Sequence, residues 1–256
     1  MTELKDEKSV YWLERTGKKN QIIHLRSAPL DVAEVLRNQL FGRRVPILMT
    51  SATLTRKGKA DSFKSQVGAE KIREGVLNSP FDYQSNMQIR ILRDCPEPMG
   101  TNREAYLNYL VKAIHGAAAS VQGGSLALFT NYSDLLHCFH RMLPKWKKMG
   151  RSIYAQGEGY SRSELRSKMM EEGDVLLLGA ESFWKGFDAK GPSLSQVIVT
   201  RLPFENPNHP VMEAKTELLL KQGKNSFMEL TLPAAVTRFR QGCLLYTSPS
   251  PRDGLL

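Results

Sequence analysis

Gly173-Asp174-Val175-Leu176-Leu177-Leu178-Gly179 is a short apolar run with glycine on either side and no polar residue at alternating positions. A strand with one wet face alternates apolar and polar side chains, whereas near-continuous apolar character suits a parallel strand covered on both faces. Working outward, Gln196-Val197-Ile198-Val199-Thr200 has the same character, and Ser152-Ile153-Tyr154-Ala155 and Ser125-Leu126-Ala127-Leu128-Phe129 precede it. Between these runs the period becomes helical. Tyr106, Leu107, Leu110, Val111 and Ile114 recur at helical spacing before the break at Gly123-Gly124, and Leu135, Leu136, Phe139, Met142 and Leu143 make a second apolar face expected to end near Pro144. Ser161-Arg162-Ser163-Glu164 has the form of a capping box, so a helix is predicted from there to about Glu172, closed by Gly173. Strands separated by helices of about 10 to 15 residues make βαβ units. The expected fold class is therefore α/β, a doubly wound, mainly parallel sheet with helices on both faces.

The first hundred residues are less regular. Asp31 with Glu34 is expected to cap a helix carrying Val32, Val35, Leu36 and Leu40, and Val45-Pro46-Ile47-Leu48-Met49 reads as a short buried strand. Residues 55–75 are polar and basic, which suits a surface loop with a short helix. The 256 residues are 41% hydrophobic, a composition that excludes disorder, collagen and coiled coil. No apolar run approaches the roughly 20 residues of a membrane span. Met1-Thr2-Glu3-Leu4-Lys5-Asp6 lacks a signal-peptide core, so the expectation is a cytoplasmic protein without membrane association. Cys95, Cys138 and Cys243 are odd in number and widely spaced, which argues against a disulfide framework and against a complete zinc or iron–sulfur site. The net charge of +10 favours a polyanionic partner.

In open α/β sheets, ligands bind outside the carboxyl ends of the strands. Here those positions read Thr50-Ser51-Ala52-Thr53-Leu54, Thr130-Asn131-Tyr132, Gln156-Gly157, Ala180-Glu181-Ser182-Phe183-Trp184-Lys185-Gly186-Phe187-Asp188 and Arg201-Leu202-Pro203-Phe204. In order and spacing these segments resemble the second, RecA-like motor domain of superfamily 2 DNA helicases of the DinG and XPD type. Ser51-Ala52-Thr53 matches motif III, followed by Ser79-Pro80-Phe81, the Phe129–Tyr132 strand end and Gln156-Gly157. The likeness is strongest at Ser182–Asp188, similar to the family's Ser-Phe-Trp-Glu-Gly-Val-Asp in motif V, with Gly191, Leu202-Pro203-Phe204, Pro207 and Pro210 after it. It covers residues 10–243. Lys185 stands where the family usually has Glu, reversing a charge beside the presumed nucleotide cleft. Arg238-Phe239-Arg240-Gln241-Gly242 resembles the opening of motif VI, but the following Gly-Arg-x-x-Arg is replaced by Leu244, Leu245 and Ser248. The stretch Leu244–Asp253 looks like translated sequencing-adapter DNA. The expectation is a fragment: a reading frame interrupted near Cys243, and no Gly-x-x-x-x-Gly-Lys-[Ser/Thr] loop or Asp-Glu-x-His box upstream.

The resemblance implies the end of a first lobe in 1–54, a linker in 55–100, a second lobe in 101–243 and a non-native tail in 244–256. It implies a monomeric motor that couples ATP hydrolysis to 5′-to-3′ translocation on single-stranded or forked DNA and to duplex unwinding, in repair or replication. The absent first lobe would supply the phosphate loop, the magnesium site and the water-activating carboxylate, and any iron–sulfur cluster would need four cysteines there. By the same resemblance, Ser51, Thr53, Lys185, Gly186, Asp188, Arg238 and Gln241 serve ATP binding and coupling. Thr130, Asn131, Tyr132, Gln156, Ser182 and Trp184 serve DNA binding, through polar donors and an aromatic platform. Plainer readings stand beside these: Gly186-Phe187-Asp188 as a simple turn, Arg238 and Arg240 as a solvated helix face, Trp184 as core packing, and the basic loop of Arg56, Lys57, Lys59 and Lys64 as solvated surface. His115, His137 and His140 read as packing or surface residues. The chain alone is expected to be inactive. The competing class is a non-catalytic single-strand-binding module or accessory subunit. Some DinG relatives carry an amino-terminal exonuclease domain.

Overall fold

The computed structural model describes residues 8–17, 21–43, 45–56, 58–78, 82–98, 100–184, 187 and 191–247. In chain order the elements are β1 (Ser9–Thr16), β2 (Ile22–Pro29), α1 (Val32–Leu36), α2 (Asp61–Val67), α3 (Tyr83–Asn86) and α4 (Arg103–Ala119). There follow β3 (Ser125–Leu128), α5 (Tyr132–Lys148), β4 (Ser152–Ala155), α6 (Arg162–Glu172), β5 (Val175–Gly179), β6 (Gln196–Val199), α7 (Pro210–Lys221) and α8 (Leu232–Thr247). The described residues fall into two compact units: those within 1–79 and 205–234, and those within 80–204 and 235–256.

The second unit is the predicted α/β layer structure. Its four strands are all parallel in the order β4-β5-β3-β6, so the chain starts inside the sheet at β3, crosses to the edge at β4, returns to β5 between them and ends at β6 on the other edge. Side chains sort by the strand period of two. Ala127, Phe129, Ile153, Ala155, Leu176 and Leu178 face the helices α4 and α5, where Tyr106, Leu110, Ile114, Leu135, Phe139, Met142 and Trp146 close one core. Leu126, Leu128, Val175 and Leu177 face the other way, onto Leu165 and Met169 of α6 and onto Phe183, Trp184, Phe187 and Leu194. Continuous apolar strands are the consequence of having helices on both sides.

The capping box forms as read: Ser161 Oγ accepts from the Glu164 amide at 3.2 Å and Glu164 Oε2 accepts from the Ser161 amide at 2.6 Å. Ser161→Ala is expected to cost about 1 kcal/mol, read as a lower midpoint in urea denaturation of the sheet unit. The helix α5 departs from expectation by running through Pro144 to Lys148. An interior proline costs a helix roughly 3 kcal/mol, but here the turn beyond it carries Trp146, which is fully buried and stacked under the Arg151 guanidinium at 4.6 Å. Burial of that indole holds the last turn in helical form despite the proline.

In the first unit, β1 and β2 form an antiparallel hairpin, from Ser9 opposite Pro29 to Thr16 opposite Ile22. Asp31 caps α1 as expected, its carboxylate accepting from the Ala33 amide at 2.8 Å. A π-helical turn, Arg37–Phe41, continues α1. Gly68 closes α2 with φ +72°, and a Cβ on it would stand 2.3 Å from the Ala33 carbonyl oxygen, so α1 and α2 meet only because that residue is glycine. The expected strand at 45–49 is not formed, and Leu48 is 89% exposed. Its apolar composition suggests a strand, but Pro46 offers no amide to a ladder and no neighbouring strand pairs with it among the described residues. Residues 205–234, read from the sequence as part of the second lobe, belong with this unit: α7 packs along β1, and the His209 ring meets Trp12 edge-on at 5.9 Å. No described helix is long and apolar enough to cross a membrane.

Candidate functional site at the carboxyl edge of the sheet

The four parallel strands end in step, Leu128 opposite Gly179 and Val199, and Ala155 opposite Leu178. One residue further the ladder still holds. The Phe129 amide donates to Gly179 at 2.8 Å, Gln156 to Leu178 at 3.0 Å and Thr200 to Leu128 at 3.1 Å. The segments Thr130-Asn131-Tyr132, Gln156-Gly157, Ala180–Trp184 and Arg201 therefore leave the sheet along a single edge, as the strand-end rule requires.

Gln156 ties two of them together. Its Oε1 accepts from the Ala180 amide at 2.8 Å and its Nε2 donates to Ser182 Oγ at 2.9 Å. The loop after β5 is thus anchored to the end of β4 with Ser182 exposed and facing the same edge. The three described aromatics of that loop turn inward instead. Phe183 and Phe187 are buried with ring centres 5.1 Å apart, and Phe183 lies so close to Gly179 that a Cβ there would stand 2.6 Å from its ring.

Trp184 is 4% exposed, and its indole N–H donates to the Phe129 carbonyl at 3.0 Å. A ring in that position offers no face to a base, so the DNA-stacking assignment is corrected: Trp184 is a strut beneath the edge. The helix α8 lies against it at Gly242, where a Cβ would come within 3.0 Å of the indole and 3.4 Å of Leu128. This brings Gln241, half-buried, to the carboxyl end of β3, with Arg238 one turn earlier and also half-buried and Arg240 exposed. Tyr132, 45% exposed, keeps its ring available, with Gly157 opposite its edge. Thr130 is exposed as well.

Asn131 is held by the fold. Its Oδ1 caps α5 by accepting from the Asp134 amide at 2.8 Å, and its Nδ2 donates to Asp134 Oδ2 at 3.1 Å. Sequence reasoning missed the cluster that follows. Asp134 is buried, paired through Oδ1 with Arg103 Nη2, and approached by Arg201 Nη1 at 4.0 Å from Oδ2. The Arg201 guanidinium lies 5.4 Å above the Tyr106 ring. The hydrogen bond to Asp134 raises Arg103 above the ordinary arginine range, and burial pushes the Tyr106 hydroxyl up to about 12. The one signal in the sequence is Asn131-x-x-Asp134 at the start of α5.

Lys185, Gly186 and Asp188 lie outside the described residues, as do Ser79-Pro80-Phe81 and Lys57. Ser51 and Thr53 belong to the first unit, where Ser51 Oγ accepts from the Thr53 amide at 3.2 Å in a local turn. Among the described residues no group of three or more His, Cys, Asp or Glu is placed to hold a metal ion.

Residues 114–243 match the family described as the helicase C-terminal domain. The chain belongs to that family. This helicase C-terminal domain is 33% identical over 242 residues to the 3'-5' exonuclease DinG of Bacillus subtilis, covering 93% of the chain and 26% of the relative. It is 32% identical over 234 residues to the ATP-dependent DNA helicase YoaA of Haemophilus influenzae, covering 91% and 35%. With the ATP-dependent helicase DinG of Mycobacterium tuberculosis the identity is 30% over 243 residues, covering 93% and 35%. The chain thus spans about a quarter to a third of the length of these relatives. A solved XPD helicase superposes with a TM-score of 0.57 at 14% identity, over 87% of this chain and 40% of that one, a likeness of fold. The helicase C-terminal domain has the RecA-like α/β architecture expected from its sequence.

Proposed function

We propose that this chain is the second motor lobe of an ATP-dependent DNA helicase, gripping single-stranded DNA at the carboxyl edge of its sheet while ATP turnover drives 5′-to-3′ movement and unwinding. The observation that carries the reading is the Gln156 bridge, which joins the end of β4 to the Ser182 loop as one donor-bearing edge. Thr130, Tyr132, Gln156 and Ser182 then supply the polar contacts and the stacking surface that a single strand needs. Asn131 fixes the loop that presents them, and Trp184 braces it from below. Two of the relatives named above are called ATP-dependent helicases.

Phosphoryl transfer needs positioning and positive charge more than covalent chemistry. In this reading Arg238 and Gln241 on α8 serve nucleotide binding, Lys185, Gly186 and Asp188 are assigned to it by the sequence resemblance alone, and Ser51 and Thr53 couple nucleotide state to grip. Lys185 adds a positive charge where the family usually carries a negative one. Magnesium bound with ATP would neutralise phosphate charge, and among the described residues no group of three or more His, Cys, Asp or Glu is placed to hold it by itself. The three free cysteines do not fit an iron–sulfur cluster either: Cys138 is buried in the sheet core, Cys95 is exposed and Cys243 sits on α8. A monomeric motor acting in DNA repair or replication is the role that follows.

The test uses the chain as it stands. It is expected to bind fluorescein-labelled oligo(dT) with salt-dependent affinity and to release no phosphate in a malachite-green assay with ATP and DNA, since its sequence holds no Gly-x-x-x-x-Gly-Lys-[Ser/Thr] loop. DNA-stimulated phosphate release by this chain alone contradicts the two-lobe division of labour. Failure to bind oligo(dT) contradicts the strand-gripping edge.

A further inference from the structure

Asp134 is a buried carboxylate facing two guanidinium groups, and none of the three residues has a role in the reading above. Its two oxygens are not shared equally. Oδ1 takes the hydrogen bond from Arg103, and Oδ2 takes the Asn131 amide at 3.1 Å, while Arg201 stays at 4.0 Å, beyond hydrogen-bonding distance. One carboxylate against two cations leaves one surplus positive charge. The tighter pairing of Arg103 assigns that surplus to Arg201.

Arg201 is also placed to use it. It follows β6 on the edge that carries Thr130 and Gln156, its side chain is 27% exposed, and its guanidinium carbon lies 5.4 Å from the centre of the buried Tyr106 ring, over its face. The Tyr106 hydroxyl is buried with no hydrogen-bond partner among the described residues. A planar fork attracted to a ring face on one side and to a carboxylate on another is biased towards one orientation before any ligand arrives, and such forks match paired phosphate oxygens. We propose that Arg201 binds a phosphodiester of the single strand, with Asp134 and Tyr106 as its positioning residues and Arg103 as the counter-charge that leaves its donors uncommitted. This rests on the strand-gripping reading and adds a phosphate contact to it. The shared chemistry, a phosphate oxygen pair, is also offered by a nucleotide, so the test has two arms.

The first arm is fluorescence anisotropy with fluorescein-labelled oligo(dT) across a salt series. Arg201→Gln is expected to weaken binding about tenfold near ~0.1 M salt and to reduce the log–log salt slope by about 0.7, one single-strand phosphate contact. Arg201→Lys should keep the slope and recover part of the affinity. Asp134→Asn gives a sign test. It removes a negative charge, so electrostatics alone would tighten binding, whereas loss of positioning weakens it at unchanged slope. Weakening is the expected result, and tightening overturns the role of Asp134. The second arm repeats the titration with a fluorescent ATP analogue, for which Arg201→Gln should behave as the unsubstituted chain does. An effect on the nucleotide titration alone overturns the proposal in favour of nucleotide phosphate. Oligo(dT) affinity and slope unchanged in Arg201→Gln overturn it too, while leaving the strand-gripping reading intact. No oligo(dT) binding by the unsubstituted chain overturns both.

Discussion

Trp184→Ala is expected to destabilise the sheet unit by about 3–5 kcal/mol. The indole is nearly fully buried among Leu126, Leu128, Phe183 and Phe187, so truncation leaves a cavity the size of two fused rings. It also removes the donor that satisfies the Phe129 carbonyl, at the point where β3 turns into the Thr130-Asn131-Tyr132 loop. Finally, it takes away the surface on which α8 packs at Gly242, and with it the support that sets Gln241 near the end of β3. Trp184→Phe separates these contributions. Phe keeps much of the packed volume but cannot donate, so its cost should be about 1–3 kcal/mol, the range for a buried carbonyl left unpaired. Urea unfolding followed by far-ultraviolet circular dichroism gives both values without depending on the lost fluorophore. A change below about 1 kcal/mol for the alanine variant would mean that the ring is not a strut, and base stacking would return as its role.

The parallel sheet is legible in the sequence because both its faces are covered, which leaves the strongest available pattern: apolar runs such as Val175–Leu178 interrupted by helices with their own caps and stops. Local signals with a local cause hold equally well, among them the Ser161 box and the Asp31 cap. Composition without a partner misleads. Val45-Pro46-Ile47-Leu48-Met49 looks like a strand, but a strand exists only where another accepts its hydrogen bonds. The opposite error hides the β1–β2 hairpin. Val10, Tyr11 and Trp12 are all half-buried, so the two faces of β1 differ too little to print an alternating pattern. At the site, the strand-end rule finds Gln156 and Ser182 because topology alone puts them on the edge. It cannot find Asp134 with Arg103, whose pairing spans 31 residues and depends on how α4 and α5 pack. Nor does it distinguish the inward Trp184 from the outward Tyr132: both are aromatics just past a strand, and only the core beneath Phe129 decides which one is swallowed.

Gly123-Gly124 reads from the sequence as a break before β3, and the structure gives the two glycines different duties. Gly123 has φ +104°, a backbone state that side chains rarely adopt. Gly124 is needed for space: a Cβ there would stand 1.9 Å from the Ser193 carbonyl oxygen and 2.9 Å from Met169 Cε. A methionine tip can swing aside, but the Ser193 carbonyl cannot. The next residue, Leu194, is buried in the α6 core, and the amides of Ser195 and Gln196 after it both donate to the Gly124 carbonyl, at 2.8 and 3.2 Å. Gly124→Ala therefore pushes the start of β3 away from the turn that feeds β6, loosening the pairing that aligns Leu128 with Val199 and so the edge carrying Arg201. A cost of about 3 kcal/mol is expected, at the upper end for overpacking because backbone meets backbone. Gly116→Ala in α4 is the contrast: nothing outside its own helix lies within 4 Å of a Cβ there, and replacing a mid-helix glycine should stabilise by about 0.5–1 kcal/mol. Urea midpoints moving in opposite directions confirm that the close approach at Gly124 holds β3 and β6 in register. A Gly124→Ala midpoint that rises along with Gly116→Ala would show that the turn at Ser193 yields freely, and that the alignment of the edge is set elsewhere in the sheet.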